Sequence, residues 1–324
     1  MWKINPTNDL YFLNSCRDLV QTFWRRNRPI KRIGDHTFKA ENHYLVIRDD
    51  DPEILDPILK DTSKKLIYLI DDNIWEAQED TSLSKNYRHK IQSFKEHADR
   101  LIAKADHVVV SSSYLKKFLP DHPKVSLMRP AWGASLPNGN HYSYADKIFN
   151  LVHIGTTSHR AGYRLLRPVV KALLERHDHV TFTYHSNEPL MEELDQHPRV
   201  KRRQHLRWAF FQRHIGKYPY HLALYPIADT PLNKGRSINK ILEHPLSGCA
   251  GVYTQGWIHE HYVQEYQAGL SLPASVEAWV EGIHEIIESP KKAEVYFQNA
   301  GQSFDALNRL DDQRRFWKTH LLRE

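Results

Sequence analysis

Apolar residues recur along the chain in two rhythms. Short unbroken runs lack polar alternation, as in HYLVI before Arg48, KLIYLI before Asp71, HVVV before Ser111 and HLALYP at 221–226. Such runs predict buried strands. Longer stretches space their apolar residues at helical intervals. Ile91, Phe94, Ala98 and Leu101 do so within 86–105, and Leu165, Leu166, Val169, Val170, Leu173 and Leu174 within 163–177. Those spacings predict helices with one buried face. Further strands are expected at 125–133, 149–155, 179–185 and 248–253, with 200–206 leading into a helix. Further helices are expected at 9–26, 187–196, 207–217, 236–244, 257–269 and 275–289, with a helical close to the chain. Strands alternating with helices predict an α/β fold built on parallel sheets with crossovers.

The rhythm breaks at 134–147, ASLPNGNHYSYADK, a Pro/Gly/Asn-rich stretch that marks a domain boundary. The expected division is an N-terminal domain over 1–140, a second domain over 141–305 and a terminal helix over 306–324 packing back towards the first. Both halves repeat the same alternation, so two Rossmann-like domains facing a cleft are expected.

Composition narrows the partners. Charged residues make up 26% and hydrophobic residues 40% of the 324, which are globular proportions. The net charge of +6 favours an anionic partner: a nucleotide, a phosphosugar, an acidic membrane surface or nucleic acid. Nucleic acid is set aside, because no RNA- or DNA-binding module, aromatic RNP strand or basic low-complexity tail is present. Cys16 and Cys249 are far apart, so neither a disulfide framework nor a cysteine zinc site is expected. No apolar run approaches the roughly 18–20 residues that span a bilayer, and the first residues lack a signal-peptide core. A cytoplasmic protein is expected. Phe23 and Trp24 run directly into RRNRPIKR (25–32), the composition of an interfacial anchor on anionic lipid. Peripheral contact at the inner face of a membrane through 23–32 is one reading; a surface helix whose aromatics are simply core is the alternative.

Several polar residues sit where chemistry is done. Asp71 and Asp72 end an apolar strand, the end at which open α/β sheets bind ligands. A carboxylate there can orient or deprotonate an acceptor hydroxyl. Adjacent strand residues point to opposite faces, so at most one reaches a site unless the strand has ended. Asp49, Asp50 and Asp51 precede Pro52 and read as a helix cap, as do Ser111 to Ser113. Arg236, Lys240 and Glu243 fall at i, i+4 and i+7 of a helix that Pro245 ends, so they share one face. Two cations and a carboxylate beside a helix start suit a phosphate and a hydroxyl-rich group; an ordinary solvated Lys–Glu pair is the alternative. Lys234 and Arg236 flank Gly235, whose missing side chain permits close backbone approach. His153 reads as a satisfied core residue, and Tyr184 and His185 are candidates to flank a nucleobase. His177 and His179, like His259 and His261, are alternate residues, whereas helical metal pairs need i, i+3 or i+4. No metal and no cofactor are expected.

Three segments together resemble bacterial polysaccharide glycosyltransferases of the GT-B fold, close to the retaining family-4 type. They are YLIDDNIW (68–75), HIGTTSHRAG (153–162) and RSINKILEHPLSGCAGVY (236–253), with KADHVVVSSSYLKKFL (104–119) also similar. The resemblance implies a metal-independent enzyme. It would move a sugar from an activated phosphate donor onto a growing, lipid-linked glycan acceptor such as O-antigen or capsule, retaining anomeric configuration. It implies that Glu243 holds the ribose hydroxyls of the donor. Lys234, Arg236, Ser237 and Lys240 lie where the donor's phosphates or sugar would come. Gly155, Thr156 and Thr157 match the loop approaching the diphosphate through backbone N–H groups, with His159 and Arg160 as added cations. Asp71, Asp72, His159 and Lys240 are the catalytic candidates. One position departs from the pattern: the family's first glutamate, eight residues before the second, falls at Gly235. That departure is consistent with an unusual donor, such as CMP-Kdo or phosphoribosyl pyrophosphate. A non-catalytic module binding nucleotide or polyanion is the alternative from another class.

Overall fold

The computed structural model describes residues 5–155, 160–186, 189–203 and 207–322. The chain forms two compact units. One comprises Met1–Gly133, Pro231–Ile238 and Asn308–Glu324; the other comprises Ala134–Thr230 and Asn239–Leu307.

The first unit is built on a six-stranded sheet in sequential order: β1 (Lys31–Arg32), β2 (Thr37–Lys39), β3 (His43–Ile47), β4 (Lys65–Ile70), β5 (His107–Val110) and β6 (Val125–Leu127). β3 to β6 are parallel, and β1 and β2 add an antiparallel edge. Alternate residues feed one core: Tyr44 and Val46, Tyr68 and Ile70, Val108 and Val110. Phe94, Ala98 and Leu101 of the helix Lys85–Lys104 pack on them. The intervening Leu45, Ile67, Leu69 and Val109 are equally buried, as a sheet covered on both faces requires. The helix Leu310–Trp317 closes this unit. Trp317 donates its indole N–H to the Tyr11 carbonyl at 2.7 Å, and Gln313 donates to that of Leu10 at 3.0 Å.

The helix expected over 9–26 is shorter. Helical turns run from Pro6 to Leu19, capped by Asn5, whose side chain accepts from the Thr7 N–H at 2.8 Å. Val20 is buried and extended and bridges Ile30 in parallel, with Gln21 N–H donating to the Ile30 carbonyl at 2.7 Å; a tight turn follows in which Thr22 and Arg25 exchange N–H···O bonds. Backbone groups that would have continued the helix are satisfied by these pairings. Phe23 and Trp24 are thereby placed at a turn tip, 70% and 87% exposed, with Arg26 over the Phe23 ring.

The second unit carries an all-parallel sheet in the order β12-β11-β10-β7-β8-β9. Its strands are β7 (Phe149–Ile154), β8 (Val180–His185), β9 (Val200–Arg203), β10 (Leu222–Tyr225), β11 (Ala250–Thr254) and β12 (Gly269–Leu272). Strand order reverses between β7 and β10, and a crevice opens outside the carboxyl ends of the strands at such a reversal. The core gathers Leu166, Val169, Val170 and Leu173 of the helix Arg160–Arg176 against Leu151, Phe182 and Leu222. β1, β2, β9 and β12 are not in the sequence expectation. They are two to four residues long, too short to set up a periodic signal.

Candidate active site

Each unit brings polar residues to the carboxyl ends of its own strands. In the second unit the reversal point is held by the helix Asn239–Leu246. Lys240 donates through Nζ to the Ile154 carbonyl at the end of β7, at 2.7 Å, and pairs with Glu243. The Asn239 amide donates to the other Glu243 oxygen at 3.0 Å. Both side chains of the pair are nearly buried, 12% and 5% exposed. A carboxylate accepts more than one bond per oxygen, so Glu243 keeps capacity for a hydroxyl donor. Gly155 follows Ile154 directly and is buried. Arg160 opens the helix Arg160–Arg176 and is exposed. That helix approaches the reversal closely: a Cβ on Gly162 would stand 2.1 Å from the Pro226 carbonyl oxygen, just beyond β10. Thr156, Thr157 and His159 lie outside the described residues.

Tyr184 is not available to a nucleobase. It is fully buried among core residues and donates its hydroxyl to Asp195. Strand alternation puts its ring on the same core face as Phe182, a pairing that a count from the strand end does not show. His153 is buried as expected, with Nδ1 2.8 Å from the Leu224 carbonyl and Nε2 3.3 Å from the Tyr163 hydroxyl.

The helix carrying Lys240 starts at Asn239, so the single face expected for Arg236, Lys240 and Glu243 does not form. Arg236 and Ser237 belong with Pro231–Ile238 in the first unit. Arg236 Nε donates to the Asn233 side chain at 2.7 Å, and Lys234 is exposed at the end of the short helix Pro231–Lys234. The close approach expected at Gly235 is to the protein's own side chains: an added Cβ would meet Asn73 Cβ at 2.5 Å and Leu115 Cδ2 at 2.8 Å. Ser112 donates to the Gly235 carbonyl at 3.0 Å, and Asn73 donates to that of Pro231 at 2.7 Å. The Ser112 hydroxyl is thus spent on Gly235 and makes no cap hydrogen bond to the helix Ser113–Lys116. Pro245 lies within the helix Asn239–Leu246, one residue before its end.

In the first unit β4 ends at Ile70, so Asp71 and Asp72 lie beyond the strand and escape its alternation. Both reach Arg48: Nη1 stands 3.0 Å from Asp71 and 2.6 Å from Asp72. Asp71 also accepts from the Thr7 hydroxyl at 2.9 Å, and its carbonyl accepts from Ser111. Burial pushes the Asp71 carboxyl up; Arg48 pulls it down and the Asp72 charge pushes it further up. A cavity of about 340 Å³ opens beside this triad, lined among others by Thr7, His36, Arg48, Asp72, Tyr87 and Lys90. Arg48 has φ of 49°, a left-handed conformation that non-glycine residues seldom hold. Asp49 is buried, accepting from Thr37, and Asp51 caps the helix Pro52–Lys60.

Sequence reasoning passed over Arg48, Tyr87 and Lys90. Arg48 stands beside the aspartates of 49–51, which drew the attention. Tyr87 and Lys90 share a helix face with Ile91 and Phe94 at i, i+3, i+4 and i+7, a stripe that continues an apolar one.

No protein-family model and no curated protein matches the chain. Solved structures do. TarM matches with a TM-score of 0.59 at 11% identity over 84% of this chain and 53% of its own, so this chain spans about half the length of TarM. Anabaena Alr3699/HepE, solved with UDP and glucose, matches at 0.56 and 14% identity over 80% of this chain and 72% of its own. WaaG, a glycosyltransferase involved in lipopolysaccharide biosynthesis, matches at 0.58 and 15% identity over 80% and 79%. The chain has the GT-B glycosyltransferase fold, with two Rossmann-like domains.

Proposed function

We propose that this protein is a glycosyltransferase that moves a sugar from a nucleotide-sugar donor onto a bacterial cell-surface glycan, O-antigen or capsule, with retention. The carrying observation is the Lys240–Glu243 pair fastened to the end of β7 at the strand-order reversal. The UDP bound to HepE and the lipopolysaccharide role of WaaG support a nucleotide donor and a glycan acceptor. In this reading Glu243 receives the ribose hydroxyls, and Lys240 balances the charge that develops on the departing phosphate. Gly155, Thr156 and Thr157 offer backbone N–H groups, with His159 and Arg160 as further cations. Lys234, Arg236 and Ser237 contribute to phosphate or sugar contacts. Asp71 and Asp72 orient the acceptor hydroxyl, and the donor's own leaving phosphate takes its proton. Residues 1–140 serve the acceptor, 141–305 the donor, and 306–324 return to the acceptor side. No metal takes part. The acceptor is lipid-linked, and the protein works in the cytoplasm at the inner membrane face, held by 23–32. The exposed Phe23–Trp24 tip beside Arg25, Arg26 and Arg28 supports that placement.

The test is a thermal-shift panel on wild type and Glu243→Ala with UDP, GDP, ADP, dTDP, CMP and phosphoribosyl pyrophosphate. One nucleotide stabilising only the wild type is expected; at one hundred times its Kd it adds about 2.7 kcal/mol. Stabilisation by CMP or phosphoribosyl pyrophosphate alone would identify the unusual donor that Gly235 allows. Stabilisation by none would overturn the reading in favour of a binding module of another kind.

A further inference from the structure

The second unit carries another polar cluster, at the end of its sheet away from Ile154 and Lys240. His177 follows the helix Arg160–Arg176 and immediately precedes β8, so it lies at that strand's amino end. His284 sits in the last turn of the helix Val276–Ile287, and Glu288 is its C-cap, four residues on. Spacing of i, i+4 puts both on one face. His177 Nε2 is 3.1 Å from His284 Nδ1, and Glu288 Oε1 is 3.5 Å from His177 Nδ1 and 3.9 Å from His284 Nδ1. Among the described residues this is the one group of three metal-ligating side chains whose ligand atoms all lie within 4.8 Å of one another.

The parts differ in freedom in a useful way. His177 is buried; its N–H donates to the Leu173 carbonyl at 3.1 Å and its own carbonyl accepts from Arg199. These bonds fix its backbone, and burial confines its ring before any ion arrives. Glu288 is 59% exposed and swings without disturbing the core. The neighbouring cation, Arg176, is paired with Glu281 at 2.6 Å. Two neutral imidazole nitrogens at hydrogen-bond distance share one proton. An ion bound tetrahedrally to both, with bonds of about 2.0–2.1 Å, holds them about 3.3 Å apart, so it takes the proton's place with little movement.

The geometry points to a divalent transition-metal site formed by His177, His284 and Glu288. Two imidazoles select zinc, cobalt or nickel over magnesium or calcium. Three protein ligands leave a fourth position for water. The ion staples the end of the helix Val276–Ile287 to the head of β8. It stands apart from the residues assigned to sugar transfer and does not depend on that assignment.

The experiment strips the full chain with EDTA, desalts it, and titrates it with zinc by calorimetry and with cobalt by visible absorbance. Wild type is expected to take one tight equivalent, to gain the absorbance of cobalt held by nitrogen and oxygen, and to be indifferent to excess magnesium. His284→Ala should weaken binding by more than about tenfold, the loss that even an outer partner of a metal site causes. Glu288→Gln should weaken it less. Both positions are on the open side of the cluster, so these variants fold where a change at buried His177 would confuse the result. Absence of saturable uptake by wild type overturns the site. So does equal affinity in His284→Ala, or a melting temperature that His284→Ala lowers equally with and without zinc, which would leave only a hydrogen bond between the rings.

Discussion

The guanidinium of Arg48 stands 2.6 Å from the carboxylate of Asp72, and the same nitrogen stands 3.0 Å from Asp71. One cation therefore pairs with two neighbouring acids. Arg48→Ala removes the group that opposes the burial of Asp71. The Asp71 carboxyl should then titrate at higher pH, and under the proposed function the acid limb of the pH–rate profile should move the same way. Losing charged hydrogen bonds of this kind costs about 1–3 kcal/mol, read by urea denaturation. Arg48→Lys should restore part of the stability and bring the limb back.

Lys240 and Glu243 are a nearly buried pair. Removing one partner leaves the other charged and desolvated, which costs about 3–5 kcal/mol in a fully buried pair and less here. Lys240→Met and Glu243→Leu made together should destabilise less than the sum of the two alone. A double-mutant cycle by urea denaturation that came out additive would mean the pair is not coupled.

Gly162→Ala should act on the same region without touching charge. Its new Cβ meets the Pro226 carbonyl at 2.1 Å, so the helix Arg160–Arg176 must shift. Overpacking of this kind costs about 1–3 kcal/mol, seen as a lower melting temperature. Under the proposed function, nucleotide affinity should fall with it, because the shift moves Arg160 at the helix start.

His153 and His221 are buried, and burial lowers each to about 4. The unfolded chain protonates such groups near 6.5. Between pH 6.5 and 4 the unfolded state thus binds more protons, and stability rises with pH. Folding stability should be at its full value above pH 6.5 and fall as pH drops towards 4, by at most about 1.4 kcal/mol per unit for each imidazole. Urea unfolding at pH 7.0, 5.5 and 4.5 measures the slope, and His153→Gln should flatten it.

Flotation with anionic vesicles tests the Phe23–Trp24 turn. Phe23→Ser with Trp24→Ser should abolish lipid association while leaving the melting temperature nearly unchanged, since both side chains are exposed. Replacing the anionic lipid by a neutral one should weaken wild-type binding, as should added salt.

The strands that carry the site were legible in sequence because they are unbroken apolar runs. β4 and β7 lie within a residue or so of their expected ends, and with them the positions of Asp71 and Gly155. The local pattern could not tell that the strand stops at Ile70, one residue short of the acids. That boundary decides whether Asp71 and Asp72 diverge or converge on Arg48. Helical spacing put Arg236 on a face with Lys240, but Gly235 and its neighbours are held by Asn73 and Ser112, some 120 to 160 residues distant in sequence. Spacing rules see one element at a time. The same limit hid the meeting of His177 with His284, whose residues stand 107 positions apart.

The first unit is assembled from three stretches of chain, and its closing stretch starts at Asn308. The Asn308 side chain accepts from the Trp132 N–H at 2.7 Å and donates to the Trp132 carbonyl at 2.9 Å, while Gln313 and Trp317 hold the first helical turns. During synthesis the stretch up to Gly133 therefore emerges with its strands but without the partners that follow from Asn308. The second unit, complete once Leu307 emerges, is free to fold first, against the usual order in which N-terminal domains lead. A fragment ending at Gly133 would expose the Tyr11 and Leu10 carbonyls and the apolar surface under Trp317. It would need protection that ends once the stretch from Asn308 is in place.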